Sequence, residues 1–288
     1  MTEETQRRGL SYSSFAEFSA CSRKWFLRKV LKHEIDPDAS ESTEAFDIGK
    51  SFHKCLEITK HDLTGFTLGQ CQEACKEFNI TDTDDVCLVY AMLAKYKELH
   101  TRTNLKVLGC EVVVDTPTFY GVIDAVMHEE GVGVWIIDIK TSSKALNGFT
   151  LNNVANHVQL NLYAKHYQEI AKAVGCEHLP FAGFRLRTTT KSTAKNSEEY
   201  LLAYVKKLMR NIKSYDVIVP ATYLKNVEEI YKHHQKAHEL TVVATAEDVE
   251  KFPPNFGNCN AYFRVCEYFS KCHGHTYSEA PKIKTIEV

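Results

Sequence analysis

The chain of 288 residues lacks several features that would assign it directly to a broad class. Its formal net charge is only −2, so nucleic-acid binding would need a local rather than a global excess of positive charge. It contains no apolar run as long as a membrane span. Its polar N-terminus, MTEETQRRG, is unlike a signal peptide. We therefore expect a cytoplasmic protein with no membrane partner.

A complete nucleotide-binding motif is also missing. Gly49-Lys50-Ser51 resembles the end of a P-loop, but Glu44 occupies the position of the first glycine, and no predicted strand precedes it. This excludes nucleotide hydrolysis, and we find no helicase motor. The 44% hydrophobic and 25% charged content is ordinary for a globular protein, and the chain is long enough to bury a core.

The ten cysteines are not expected to form a disulfide framework in a cytoplasmic protein. Most of them lie on apolar segments, but Cys259, Cys266 and Cys272 are closely spaced in an aromatic tail that follows a Pro-Pro break. Such spacing indicates metal ligands. Zn²⁺ bound with His273 or His275, or a [4Fe–4S] cluster completed by a distant cysteine, would each satisfy it. The spacing alone does not choose between them.

The centre of the chain, Glu111 to Lys140, has the pattern of a β-meander. Runs rich in β-branched residues, Leu105–Val114, Phe119–Met127 and Val132–Ile139, are separated by short turn-rich breaks. A further alternating run, Phe181–Arg187, predicts another strand. Apolar periodicity predicts helices elsewhere. They are one helix opening at Leu10 and carrying residues up to Lys32, then Thr43–His61, Leu68–Phe78, Asp84–His100, Asn152–Val174, Glu198–Ser214 and Asn226–Leu240.

Acidic residues of the meander suggest a metal site. Residues i and i+2 of a strand share a face, so Asp138 and Lys140 project together, and Asp124 of the preceding run can lie beside them. Two nearby carboxylates repel each other unless a cation lies between them, and Mg²⁺ or Mn²⁺ prefers such oxygen ligands. A neutral His53 could complete the metal shell. Lys140 could then steer a metal-bound water towards a phosphodiester.

Several basic residues have two possible interpretations. The opening helix has a basic face that is either solvated surface or a phosphate contact, formed by Arg23, Lys24, Arg28, Lys29 and Lys32. Arg185 and Arg187 of the fourth strand either meet phosphate or are solvated. A late helix carries histidines that we interpret as surface residues, with metal binding as the alternative; they are His233, His234 and His238.

A series of short motifs runs through nearly the whole chain. The motifs are Cys21 within ACSRKWF, Gly49-Lys-Ser-Phe-His53 with Leu56-Glu57, Glu111, Gly121-Val-Ile-Asp124, Asp138-Ile-Lys140-Thr141, Gln159-Leu-Asn-Leu-Tyr163, and Cys259, Cys266 and Cys272. Together they resemble the RecB-type branch of the PD-(D/E)XK nuclease superfamily. The resemblance is strongest to its iron–sulfur members, such as the AddB nuclease domain, CRISPR-associated adaptation nucleases and related phage exonucleases.

The resemblance implies a role for each matched residue. His53, Asp124 and Asp138, with the Ile139 carbonyl, would bind Mg²⁺ or Mn²⁺. Lys140 would orient the attacking water and stabilise developing charge, and Glu111 would support this metal or a second one. Gln159 and Tyr163 would contact DNA or brace the site. A [4Fe–4S] cluster would be held by Cys21, Cys259, Cys266 and Cys272. One departure is that Tyr262 stands where the family has a further cysteine.

The resemblance and the periodicity together predict an α/β fold, a restriction-endonuclease-like PD-(D/E)XK core with a mixed central sheet flanked by helices. We expect a single nuclease domain over residues 1–288, in which a helical N-terminal segment (1–104) precedes a catalytic sheet core (105–190), further helices (191–255) and a cysteine-rich tail (256–288).

The predicted function is metal-dependent DNA hydrolysis. The expected enzyme is an exonuclease that acts on single strands or DNA ends in recombination, repair or phage DNA processing. A recombination or helicase protein would be its partner in a bacterial or phage-infected cell. The alternatives are a structure-specific endonuclease and a DNA-binding or assembly module with a vestigial site.

Overall fold

The computed structural model describes residues 9–35, 44–142, 157–194, 196, 200–255, 258, 266–268 and 271–272. The helices are α1 Tyr12–Ala20, α2 Ser22–Lys29, α3 Glu44–Thr59, α4 Leu68–Lys76, α5 Thr83–His100, α6 Val158–Lys165, α7 Tyr167–Ala173, α8 Leu201–Asn211 and α9 Val227–Val242. The strands are β1 Leu10–Ser11, β2 Leu105–Asp115, β3 Phe119–Glu129, β4 Gly133–Ser142, β5 Phe181–Thr190 and β6 Ser214–Pro220. No helix in these ranges has both the length and the apolar character needed to cross a membrane.

The strands form one mixed sheet in the order β1-β3-β4-β5-β6, with β2 paired to β3 outside this path. β3 and β4 are antiparallel, β4 and β5 are parallel, and β5 and β6 are antiparallel. A parallel pair requires a long crossover connection, and α6 and α7 lie in the connection between β4 and β5. The predicted α/β fold with a mixed central sheet and flanking helices is therefore confirmed.

The chain divides into two compact units. Unit 1 comprises residues 1–42, 115–120 and 232–288, and unit 2 comprises residues 43–114 and 121–231. Unit 2 contains helices α3 to α8, strand β2, most of β3, and strands β4 to β6. That the whole chain folds as a single domain stays a prediction.

The helices of unit 2 begin at clear local signals. Thr67 forms a capping box with Gln70 at the start of α4, and the Asp82 carboxylate accepts hydrogen bonds from the backbone N–H groups of Asp84 and Asp85 at the start of α5. Such caps pair backbone N–H groups that have no partner inside the helix. The inner faces of these helices and of the sheet then share one apolar core that includes Phe52, Leu56, Met92, Tyr96 and Ile137.

The arginines of β5 are neither solvated nor free for phosphate, so both sequence-based interpretations of them are wrong. Arg187 has no exposed surface, and it donates hydrogen bonds to Tyr96 Oη at 3.1 Å and to Asp216 Oδ2 at 3.4 Å. Arg185 pairs with Asp216 and with Glu129 Oε2 at 2.8 Å. A buried guanidinium is tolerated only when it is paired in this way, so both residues hold the sheet together.

Unit 1 has its own small aromatic core. Trp25 and Phe26 stack on Phe252, with ring centroids 5.7 Å and 4.7 Å apart. His234 was expected at the surface, but it is fully buried, and its Nε2–H donates to the Leu10 carbonyl at 2.7 Å. It also contacts Phe15 edge to face. The prediction of a surface position for His234 is wrong because the residue faces inwards on α9, and the periodicity of this polar segment does not indicate that orientation.

The structure also changes some predicted element boundaries. The opening helix is interrupted at Cys21, whose extended backbone (φ −159°, ψ 104°) separates α1 from α2. The predicted helix Asn152–Val174 is represented by α6 and α7, which meet at His166, while residues 151–156 lie outside the described residues. Strands β1 and β6 were not predicted, because each exists through pairing with a distant strand, β3 and β5 respectively.

Candidate metal centre

The candidate site of unit 2 is assembled from one helix and three strands. α3 carries His53, β2 carries Glu111, β3 carries Asp124, and β4 carries Asp138 and Lys140. Gly49, one turn before His53, lets α3 approach the end of β4, because a Cβ atom at this position would lie 3.1 Å from Thr141 Oγ1. The glycine of the GKSFH motif therefore has a packing role in bringing the histidine to the sheet.

His53, Glu111 and Asp124 come together although they are distant in sequence. One ligand atom of each lies within 4.8 Å of the others, a grouping that could hold a metal ion. His53 Nδ1 is 3.5 Å from Asp124 Oδ1. Within the described part of the chain, no other trio of histidine, cysteine or acidic residues meets this criterion. All three belong to the site expected from the resemblance.

Asp138 and Lys140 form an ion pair beside this trio. Lys140 Nζ donates to Asp138 Oδ1 at 2.8 Å, as expected for residues that share a strand face. The Asp138 side chain is only 4% exposed, whereas that of Lys140 is 48% exposed. The backbone N–H of the intervening Ile139 donates to Asp124 Oδ2 at 2.6 Å. This bond links β4 directly to the carboxylate on β3.

The pKa shifts show that the carboxylates are electrostatically linked. Burial, together with the charge of Asp124, raises the pKa of Asp138 to about 6 against the opposing effect of Lys140. Burial would raise the pKa of Asp124, but the hydrogen bond and charge of His53 outweigh it and the pKa is lowered. Burial would lower the pKa of His53, yet Asp124 raises it. Burial and the charge of Asp124 raise the pKa of Glu111. A site with these mutual repulsions favours a cation.

Glu111 has an unusual backbone conformation. Its φ of 47° lies in the left-handed region although it is neither a glycine nor in a turn, but within strand β2. This conformation costs an L-residue about 1–2 kcal/mol. Strain of this kind is concentrated at functional sites, and here it accompanies a carboxylate that joins the candidate metal ligands.

Tyr163 and Gln159 of α6 contact the backbone of β3. The Tyr163 hydroxyl donates to the Val122 carbonyl at 2.9 Å and accepts from Gln159 Nε2 at 3.1 Å. Burial raises the pKa of the Tyr163 phenol, which keeps it protonated as a donor. Val122 lies two residues before Asp124, so this contact supports the strand that carries the acid.

Sequence reasoning passed over His157, the residue just before α6. Burial lowers the pKa of this imidazole, and the nearby Lys140 ammonium adds to the effect. His157 is therefore a neighbour of the candidate site. Its position two residues before Gln159 is the only signal that the sequence offers for it.

The predicted cysteine ligands belong to unit 1. Cys21 is buried at the junction of α1 and α2, where its Sγ accepts the Asn255 N–H at 3.4 Å. Burial raises the pKa of Cys266, and Cys21 lies close enough to add to this shift. Cys272 is also among the described residues, whereas Cys259 lies outside them. The cluster of four cysteines stays a prediction.

Comparison with known proteins connects this geometry to a family. A solved structure described as "Crystal structure of SSO0001" matches 90% of this chain and 96% of its own at 15% identity, but with a TM-score of only 0.31. No curated protein matches the chain. The model of the PD-(D/E)XK nuclease superfamily matches residues 9–273.

Nucleases of this superfamily use divalent metals, and the imidazole and carboxylates brought together here are suitable ligands for one. The family match covers α3 and strands β2, β3 and β4, which supply every acid of the site as well as His53 and Lys140. Because the match extends over nearly the whole chain, the chain belongs to the PD-(D/E)XK nuclease superfamily.

Proposed function

We propose that the chain is a Mg²⁺- or Mn²⁺-dependent deoxyribonuclease of the RecB-type branch, acting as an exonuclease on single-stranded DNA or DNA ends. The observation that carries the proposal is the approach of His53, Glu111 and Asp124 ligand atoms to within 4.8 Å, next to the Asp138–Lys140 pair. Recombination, repair or phage DNA processing in the cytoplasm, alongside a helicase or recombination partner, is the setting that we infer.

The donor set fits a hard divalent cation. His53, Asp124, Asp138 and the Ile139 carbonyl would hold the ion, and Glu111 would support it or a second one. The charge of Asp124 makes Asp138 harder to ionise, and a bound cation would offset that repulsion. When bound, the metal supplies an activated water and neutralises charge on the phosphate.

The side chains have separate tasks in this scheme. The exposed ammonium of Lys140 orients the attacking water and stabilises the negative charge that develops on the phosphate oxygens. Asp138, buried and hydrogen bonded to Lys140, holds that ammonium in position. Tyr163 braces the Val122 carbonyl and so maintains the course of β3 towards Asp124. Gln159, which donates to Tyr163, acts through it as a positioning residue.

The cysteine site has a structural task in the proposal. Cys21, Cys259, Cys266 and Cys272 would bind a [4Fe–4S] cluster, with Zn²⁺ as the alternative metal. An N–H···S bond of the kind that Cys21 accepts stabilises a thiolate ligand. Joining the first helices to the tail would close a long loop and so stabilise the fold.

Digestion of end-labelled DNA with and without Mn²⁺ tests the nuclease function. Lys140→Gln and Asp138→Asn should each lower the cleavage rate by about 10²–10³-fold. The first removes an ammonium that stabilises the charge developing on the phosphate, and the second removes a proposed metal ligand that also holds Lys140 in position. Lys172→Gln, which removes an exposed lysine from α7, is the matched control and should cut like the parent. Circular dichroism would verify that each variant is folded.

The outcomes separate the proposal from its alternatives. If Lys140→Gln and Asp138→Asn cut as fast as the parent, the proposed site is wrong. Cleavage of circular single-stranded DNA would identify an endonuclease, since a strict exonuclease needs an end. Metal-dependent DNA binding without any cleavage would identify a binding module with a vestigial site.

A further inference from the structure

The basic face of α1 and α2 is only partly occupied by contacts within unit 1. Arg23 Nε donates to the Phe252 carbonyl at 2.6 Å, Lys24 pairs with Glu267 at 3.4 Å, and Arg28 pairs with Glu17 at 3.2 Å. These three cations are used for structure. Lys29 and Lys32 are both exposed, and neither forms an ion pair with a described residue.

Lys29 and Lys32 line the same cleft of about 620 Å³ in unit 1, which we term the basic cleft. Its other polar lining residues are Ser11, Ser14, Tyr120, His238 and Thr241. The Thr241 hydroxyl already donates to the His238 carbonyl at 3.0 Å, so the serine hydroxyls are the donors that we consider for an anion. None of the described residues that line it is an aspartate or a glutamate. Although the net charge of the chain is −2, positive charge is thus concentrated locally at this concave surface.

Lys32 occupies a backbone position that does not favour a lysine. Its φ is 53°, and the chain turns back so that the His33 N–H donates to the Leu27 carbonyl at 3.0 Å. Glycine is the usual residue in the left-handed position that ends a helix. A lysine there is strained by about 1 kcal/mol relative to glycine. The strained position brings an ammonium to the rim of the basic cleft.

The basic cleft is larger than one phosphate requires. A second cleft of about 350 Å³ adjoins it and shares Ser14 and Lys29 with it. Ser14 Oγ accepts a hydrogen bond from Trp25 Nε1 at 2.7 Å, which fixes the hydroxyl oxygen and leaves its proton able to donate. The second cleft is also lined by Glu17, Lys24 and Arg28, of which Arg28 pairs with Glu17. The extended concave surface, with Lys29 shared by both clefts, suits successive phosphates of one strand better than a single small anion.

We propose that the basic cleft binds the phosphate backbone of a nucleic-acid strand, with Lys29 and Lys32 as its charged contacts and Ser11 and Ser14 as hydrogen-bond donors. The identity of the ligand as a nucleic-acid strand rests on the proposed function. The binding itself does not require the metal centre, which belongs to unit 2.

Binding of a labelled single-stranded oligonucleotide tests the proposal, measured by fluorescence anisotropy across a NaCl series with the metal chelated by EDTA. Each phosphate contact that is lost should lower the log–log salt slope by about 0.7, which corresponds to about fivefold weaker binding near 0.1 M salt. Lys29→Gln and Lys32→Gly should each show this loss. Lys236→Gln, which removes an exposed lysine of α9 outside the cleft, should bind like the parent.

Lys32→Gly is informative because it removes the charge while relieving the backbone strain. It should therefore bind more weakly although the fold is as stable as before or more stable, so misfolding does not explain a loss. Unchanged affinity and salt slope in both Lys29→Gln and Lys32→Gly would overturn the proposal. An equal loss in Lys236→Gln would also overturn it, because the effect would then be one of total charge.

Two further measurements complete the design. Inorganic phosphate at constant ionic strength should fail to displace the oligonucleotide, and full displacement would overturn the proposal by identifying a single-anion site. Parallel digestion assays distinguish the two hypotheses. If no DNA is cut under any metal condition but binding still depends on Lys29 and Lys32, the proposed nuclease function is wrong, whereas the proposed role of the basic cleft in binding is supported.

Discussion

Lowering the pH should destabilise the protein through His61, a buried histidine of unit 2 that lies outside the candidate metal centre. Its Nδ1 is 2.7 Å from Tyr96 Oη. Arg187 donates to Tyr96 Oη and to His100 Nδ1, at 3.1 Å and 3.0 Å. Because the guanidinium can only donate, the Tyr96 oxygen accepts from it, and the Tyr96 proton is available for His61 Nδ1. A neutral His61 accepts that proton, in agreement with its lowered pKa.

The size of the effect follows from the pKa. Burial, together with the charges of His100 and Arg187, lowers the pKa of His61 from 6.5 to about 3. Above pH 6.5 the imidazole is neutral in both states and its contribution to stability is fully present. As the pH falls towards 3, the unfolded chain takes up a proton that the folded protein does not, and stability is lost. Between pH 7 and 5 the loss is about 2 kcal/mol.

Urea unfolding followed by circular dichroism at pH 7 and pH 5 measures this loss. His61→Asn removes the titrating group, keeps a polar atom near the position of Nδ1, and tolerates the left-handed φ of 64°. The parent should lose about 2 kcal/mol more than His61→Asn over this interval. His233→Asn, at an exposed site on α9, is the control and should follow the parent. Equal pH dependence in the parent and His61→Asn would refute the reasoning.

Two other properties can be tested directly. Gly183→Ala should lower the free energy of unfolding by about 3 kcal/mol, because φ is 136° and a Cβ would lie 2.2 Å from the Val219 carbonyl oxygen. Gly69→Ala on α4 is the control; a Cβ has room there, so this variant should be neutral or slightly stabilising. Urea denaturation compares the two variants, and equal losses of stability would contradict the prediction. The purified protein should contain iron and be brown, and Cys21→Ser should lose iron while the buried control Cys176→Ser keeps it. A colourless protein with stoichiometric zinc would instead support the zinc alternative.

Local sequence pattern was sufficient for the meander. The predicted strands Leu105–Val114, Phe119–Met127 and Val132–Ile139 correspond to β2, β3 and β4, whose observed ends differ by only a few residues. Alternation and turn residues are short-range signals, so they remain readable without knowledge of the fold. For the same reason, the shared face of Asp138 and Lys140 could be inferred from their spacing alone.

Other features could not be obtained from local pattern. The burial of Arg187 depends on Tyr96 of α5 and Asp216 of β6, which approach it only after the sheet and helices have packed. The break at Cys21, where the backbone is extended, interrupts a helical pattern that looks continuous in the sequence. The left-handed backbone of Glu111 likewise has no local signal, since glutamate is not a residue that favours it.

The amino-acid sequence by itself determined the meander, most helices and, through the resemblance of its ordered motifs, membership of a nuclease superfamily that the family match shows. These features could be predicted because hydrophobic periodicity and residue chemistry are properties of short stretches of the sequence. Only the tertiary structure decided that His53, Glu111 and Asp124 share one small volume while Lys29 and Lys32 share a separate cleft. Those groupings arise from helix and strand packing between distant segments, and distance in space is not encoded by spacing in sequence.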